Sequence, residues 1–183
     1  NLPLRGRKGR TDEGGMRVPC VVRWPGKIPA NTASSAITST LDILPTFAAI
    51  SGANSPQDRI IDGKNIWPIL SGMSQSHPRD AFFYYQMEQL QAVRSGKWKL
   101  TLAMESKKRN WGKPEGKKEL ALYNLKNDIH EDKNVAESNP KIVKKLQSLA
   151  ESARKDLGDL NLKGKGQREA GWVNTASPRL KEK

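Results

Sequence analysis

Residues 91–102 read QAVRSGKWKLTL, and the reading of this stretch decides the fold. Two runs of alternating apolar and polar residues meet at Ser95-Gly96. That pattern predicts two antiparallel strands joined by a tight hairpin turn. Upstream, AFFYYQ at 81–86 is aromatic and strand-like. Downstream, ELALYNL at 119–125 supplies a further strand candidate. Together they predict a small antiparallel sheet.

After the sheet, Asn139-Pro140 opens a helix, with Asn139 as cap and Pro140 at the first helical position. Val143, Leu146, Ala150, Ala153 and Leu157 recur at helical spacing and form one apolar stripe, which Gly158 ends. Residues 160–183 are basic and poor in apolar side chains; an irregular or disordered tail is expected, with Trp172 as its only large anchor. Before the sheet, residues 39–52 predict a helix capped by Asp42, with Pro45 in the first turn and Gly52 as the stop. Asp62-Gly63 predicts a turn, followed by a short helical turn closed by Gly72. Val18, Cys20, Val21 and Val22, stopped by Pro25-Gly26, predict a short buried strand.

The chain has 183 residues, which suits one domain or a sizeable piece of a larger one. Its single cysteine, Cys20, excludes an internal disulfide and is expected to be a buried core thiol. The formal net charge of +13 favours anionic partners without choosing among them. No apolar run approaches the ~20 residues of a membrane-spanning helix. The sequence starts at Asn1 without an initiator Met, and is expected to be a processed or truncated chain.

The chemistry-bearing stretch is RGRKGRTDEGG at 5–15. A phosphate-binding P-loop needs Gly-x-x-x-x-Gly-Lys-Ser/Thr between a strand and a helix, and the spacing here is wrong. Arg5, Arg7, Lys8 and Arg10 would suit a nucleic-acid arm, but no aromatic residue for base stacking lies nearby, and no nucleic-acid partner is expected. A third reading starts from order. Lys8-Gly9, Glu13-Gly14-Gly15, Arg17, Pro19 and Trp24-Pro25-Gly26 follow one another, then STLDILPTFAAISG, IDGKNIWPILSG, AFFYY, AVRSGKWKL and LYNLKNDIHEDKNVA. In that order the chain resembles the C-terminal part of an arylsulfatase-type sulfatase of the alkaline-phosphatase-like superfamily, over about residues 3–158. It departs from the family pattern at Arg7, where a glycine is frequent, and at Arg10, which replaces a small hydroxyl residue.

The resemblance implies an α/β fold: the end of a large mixed-sheet domain over 1–75, an antiparallel subdomain over 76–159 with a packed helix at 140–157, and a basic tail over 160–183. It implies hydrolysis of sulfate esters, with calcium and a formylglycine nucleophile. Cys20 is followed by Val-Val-Arg and does not fit the nucleophile motif, and no Asp-Asp pair or Asp-Asn-Gly segment is present. Nucleophile and metal ligands are therefore expected upstream, this chain is expected to be inactive alone, and the N-terminal remainder of the catalytic domain is an expected partner. Lys8 is the expected catalytic residue. Gln86 and Glu88 are candidate substrate contacts, and no metal ligand is assigned to this chain. The substrate would be a sulfated small molecule or polysaccharide, and the complete protein would be exported.

Other residues draw structural expectations. Glu13 should brace its turn and Arg17 pair locally. His77 and His130 should be surface residues, and Trp67 and Trp98 should pack in the core. Lys107, Lys108, Arg109, Lys113, Lys117 and Lys118 are expected in a solvated loop that could steer a polyanionic substrate. A phosphodiesterase or phosphonate hydrolase of the same superfamily, or a non-enzymatic polyanion-binding module, are the competing readings.

Overall fold

A computed structural model describes residues 2–108, 113–167 and 173–175; Arg109 and Trp172 lie outside the described residues. Among the described residues, four α-helices and four strands follow in chain order. They are α1 Glu13–Met16, α2 Ile43–Ser51, α3 Trp67–Leu70, β1 Phe82–Gln86, β2 Gln89–Ser95, β3 Trp98–Thr101, β4 Ala121–Asn124 and α4 Pro140–Leu157. The strands form one antiparallel sheet in the order β1-β2-β3-β4. Mixed α/β architecture with a small antiparallel sheet and a packed helix is therefore what the chain adopts. In the central hairpin Ser95 pairs with Trp98, so the turn is Gly96-Lys97, one residue beyond the expected position.

A bulge shapes the two faces of the sheet. Tyr84 pairs with Ala92 but Tyr85 pairs with Leu90, which leaves Gln91 without an opposite number. Strict alternation would send Leu90 and Val93 to opposite faces; the extra residue lets both join one core with Leu100, Leu102 and Leu122. Leu146, Ala150 and Ala153 of α4 complete that core, as the stripe predicted, and Val143 packs partly buried beside them. Asn139 precedes α4, but its side chain does not cap the helix: it donates to the Val135 carbonyl instead.

The segment before the sheet is held by polar contacts. Asp42 holds the N-cap position of α2, as expected, but its side chain makes no capping bond to that helix. Ser39 caps a 3-10 turn over Thr40–Asp42, and Asp42 completes a capping box by accepting from the Ser39 N–H. Asp42 also pairs with Arg79 and accepts from the Lys64 N–H, while the Thr46 hydroxyl accepts from the Ile66 N–H. Residues 61–66 are thus pulled straight across the start of α2, and the expected Asp62-Gly63 turn is absent. A Cβ on Gly63 would lie 1.9 Å from the Leu41 carbonyl oxygen, so only glycine permits that approach.

The strand expected at 18–22 does not form. Residues 17–24 are irregular, Val21 is 94% exposed, and Cys20 is exposed rather than buried. β-branched composition favours a strand only where another strand offers its ladder, and no described strand pairs with this segment. Trp24 instead tilts against Trp67, ring centroids 5.5 Å apart. At the other end, residues 160–167 are irregular yet tied down: Leu160 N–H donates to the Glu88 carbonyl, and Gly166 N–H to that of Asp156.

Candidate functional site

The loop of residues 5–17 lies over the sheet face opposite α4. Gly6 and Gly9 take φ of 81° and 83°, conformations that L side chains resist, and Arg7 and Lys8 lie between them. The Arg10 N–H closes the turn on the Arg7 carbonyl, and the Gly14 N–H reaches back to Arg5. Behind this turn a Cβ on Gly14 would sit 2.5 Å from the Arg5 oxygen, and one on Gly15 2.2 Å from the Arg10 oxygen. The Glu-Gly-Gly sequence is explained by that packing: the glycines let the loop fold back on itself while Glu13 turns inward.

Glu13 does more than brace its own turn. It is fully buried and accepts from the Tyr84 hydroxyl at 2.8 Å and from Arg94 at 2.8 Å, with the Lys99 ammonium at 3.1 Å. Lys99 itself is 1% exposed. It pairs with Glu131 at 2.9 Å, donates to the Thr11 carbonyl at 2.8 Å, and stands 4.4 Å from the centre of the Tyr84 ring. Glu131 accepts from the Glu13 N–H at 2.8 Å, and its own carbonyl accepts from Arg5. Burial alone would push the Glu13 carboxyl up, but the Lys99 and Arg94 charges and the Tyr84 hydrogen bond outweigh it and hold the carboxyl below the ordinary range. The Tyr84 phenol is driven strongly upward, first by burial and then by the Glu13 charge.

A second cluster lies beside the first. Arg10 pairs with Asp12 and Glu115, Lys118 pairs with Glu115, and the backbones of Lys107 and Glu115 bond to each other in both directions. Lys107 is only 6% exposed, contrary to the solvated position expected; burial pushes its ammonium down while Asp12 and Glu115 oppose the shift. The bulged Gln91 links both clusters, accepting from the Thr11 hydroxyl and donating to the Lys108 carbonyl. Residues 104–108 and 113–118 are therefore fastened beside the Lys8 loop. Lys108 and Lys113 are exposed there, and Lys117 pairs with Glu119.

Lys8 is exposed in its turn. Gln86 is 6% exposed at the end of β1, so its side chain faces the interior; Glu88 is exposed. Glu88 borders a groove of about 460 Å³ with Tyr85, Leu157, Asp159, Leu160 and Lys163, which Lys8 does not line. Arg17 approaches Glu13 at 4.0 Å, as a local partner. His77 accepts from the Ile37 N–H and His130 pairs with Asp132, both at the surface. Trp98 packs partly buried against the core, and Trp67 is half-buried.

The donor set does not fit calcium. Among the described residues no three His, Cys, Asp or Glu side chains gather as metal ligands. The buried carboxylates of Glu13 and Glu131 already hold the Lys99 ammonium between them. Cys20 is exposed and lacks the Pro/Ala-x-Arg sequence that formylglycine formation would need.

The chain is similar to known proteins in sequence and fold. The family "N-sulphoglucosamine sulphohydrolase, C-terminal" matches residues 8–156. Mouse steryl-sulfatase is 43% identical over 103 residues, covering 54% of this chain and 16% of that protein. Dog arylsulfatase G is 34% identical over 164 residues, covering 83% of this chain and 31% of that protein. The crystal structure of Ps i-CgsB in complex with k-i-k-neocarrahexaose superposes with a TM-score of 0.67 at 30% identity, covering 83% of this chain and 32% of that one. The chain thus spans a third or less of the length of these relatives. With the family matched across both the Lys8 loop and the sheet that supports it, the chain belongs to the N-sulphoglucosamine sulphohydrolase C-terminal family, the C-terminal part of sulfatases.

Proposed function

We propose that this chain forms one wall of a sulfate-ester site and that Lys8 is its working side chain. The observation that carries the reading is the loop itself. Two positive-φ glycines flank the Arg7-Lys8 pair, and the supporting backbone is fastened to a buried ion network. An ammonium held there meets negative charge as it grows on the departing ester oxygen. It can donate to two oxygens without the planar geometry a guanidinium demands. The nucleophile and the calcium ligands come from other parts of the complete protein, so residues 1–183 alone are inactive.

The substrate is a sulfate ester, and we favour one on a polyanionic sugar chain. Lys108 and Lys113 lie exposed on the segments that Arg10 and Gln91 fasten beside the loop. Among the described residues no helix is long and apolar enough to cross a membrane. Export of the complete protein belongs to the same reading, checked by locating its activity in periplasmic, lysosomal or secreted fractions.

The test is Lys8→Ala in the complete protein, assayed on an aryl sulfate and on the corresponding phosphodiester. The expected result is a fall of about 10²–10³-fold in kcat on the sulfate ester. Calcium content and formylglycine mass should be unchanged. Activity within twofold of the parent rejects Lys8, and a preference for the phosphodiester rejects the sulfatase reading.

A further inference from the structure

We propose that Lys99 is a positioning residue for Lys8: its buried ammonium clamps the loop that carries Lys8 onto the sheet. The proposal rests on the reading of Lys8 given above. Three observations lead to it.

The first is the pairing of the strands. Arg94 and Lys99 stand directly opposite each other in the β2–β3 ladder, and Tyr123 stands opposite Lys99 on the far side. Two cations facing across a ladder repel each other. The pair is tolerated because the Glu13 carboxylate, delivered by the loop, accepts from one and lies beside the other. The sheet and the loop are therefore complementary in charge: neither half of the contact is satisfied without the other.

The second is where the Lys99 ammonium goes. Besides Glu13 and Glu131 it donates to the Thr11 carbonyl, a backbone atom of the loop, at 2.8 Å. Thr11 lies three residues from Lys8, and the Thr11 hydroxyl is held in turn by Gln91. Lys99 thus fixes main chain as well as a side chain, and a shift of its nitrogen moves the base of the Lys8 turn.

The third is Glu131. It takes φ of 63° although it is not glycine, a conformation that costs energy. The Asp128 carboxylate supports that turn by accepting from the Asp132 and Lys133 N–H groups. Through this turn the Glu131 side chain points inward to Lys99 and to the Glu13 N–H, while its carbonyl holds Arg5. Backbone strain is spent on placing a second carboxylate against the same ammonium.

The experiment uses the complete sulfatase and a double-mutant cycle. Lys99→Met keeps the stem and removes the charge; Lys99→Met with Glu131→Gln removes one cation and one anion together, so the buried charge still balances and the fold is kept. Near-ultraviolet circular dichroism confirms the fold of each variant. The expected result on an aryl sulfate is a loss of about a hundredfold in kcat with little change in KM, the penalty of a catalytic group displaced by about 1 Å. In a Lys8→Ala background the same change should cost no further activity, because Lys99 acts through Lys8. Trypsin cleavage within residues 5–10 should also accelerate. Parent-like kcat in the folded charge-balanced variant overturns the proposal, as does a loss that multiplies fully with that of Lys8→Ala. Faster cleavage with unchanged kcat, together with an active Lys8→Ala enzyme, would sink the Lys8 reading and this inference with it, whereas an inactive Lys8→Ala enzyme beside a fully active Lys99→Met enzyme would sink this inference alone.

Discussion

The two faces of the sheet are closed in different ways. Toward α4, Leu90, Val93, Leu100 and Leu122 meet Leu146, Ala150 and Ala153. Toward the loop, Tyr84, Arg94 and Lys99 meet Glu13 and Glu131. Apolar burial is non-directional, so the helix side can repack without losing its cohesion. The loop side is directional: each charge has named partners, and withdrawing one leaves the others buried without compensation. The side with the least slack is the side that carries Lys8.

That difference can be broken by two substitutions in residues 1–183. Glu13→Gln leaves Arg94 and Lys99 with Glu131 as their sole carboxylate in the network, and should destabilise the chain by about 3–5 kcal/mol. Leu122→Ala opens a cavity on the helix side and should cost about 2–5 kcal/mol. Urea unfolding measures both. A Glu13→Gln cost below about 1 kcal/mol would mean that water reaches the network and that the two faces are not distinct.

Acid sharpens the contrast. The Glu13 carboxyl is depressed in the folded chain, so its contribution is complete above the unfolded value of about 4.3. It is lost as pH falls through the lower folded value. The stability of the parent chain should hold from pH 7 to about pH 5 in this respect and then decline below about 4.3. Glu13→Gln should flatten that decline, whereas Leu122→Ala should lower the whole curve in parallel. Thermal midpoints across pH 3–7 decide between a network that titrates and one that does not.

The helix side was legible in the sequence and the loop side was not, for one reason. The alternation in 91–102 and the stripe on 140–157 both describe apolar burial, and both elements formed, the hairpin turn one residue beyond its expected place. The same alternation assigns Arg94 and Lys99 to a polar face, which ordinarily means solvent. Only the loop covering that face buries them, and a contact between residue 13 and residue 99 has no local signal. The one available clue was chemical: an inward-turned Glu13 beside two glycines needs cations. Cys20 and Val21 failed in the opposite sense, apolar in composition and exposed in the fold, because a strand also needs a neighbour. Lys107 failed because basic residues in a hairpin arm were all counted as solvated, while the bonds between its backbone and that of Glu115 bring this one inward.

The smallest expected effect concerns a third surface. Leu41, Ile43, Leu44 and Phe47 are each about half exposed or more, with Phe47 at 61%. Apolar residues left in water along the 3-10 turn and the helix that follows it mark a contact surface. On the reading proposed above, its occupant is the remainder of the sulfatase, since the chain spans 31% of arylsulfatase G. Phe47→Ser should therefore change the stability of residues 1–183 by no more than about 0.5 kcal/mol. In the complete protein the same substitution removes a buried aromatic ring and should cost about 3–5 kcal/mol. Equal losses in the two contexts would mean that Phe47 packs within its own chain. A negligible loss in both would mean that the surface stays open in the complete enzyme, and α2 would then be a place for a different partner.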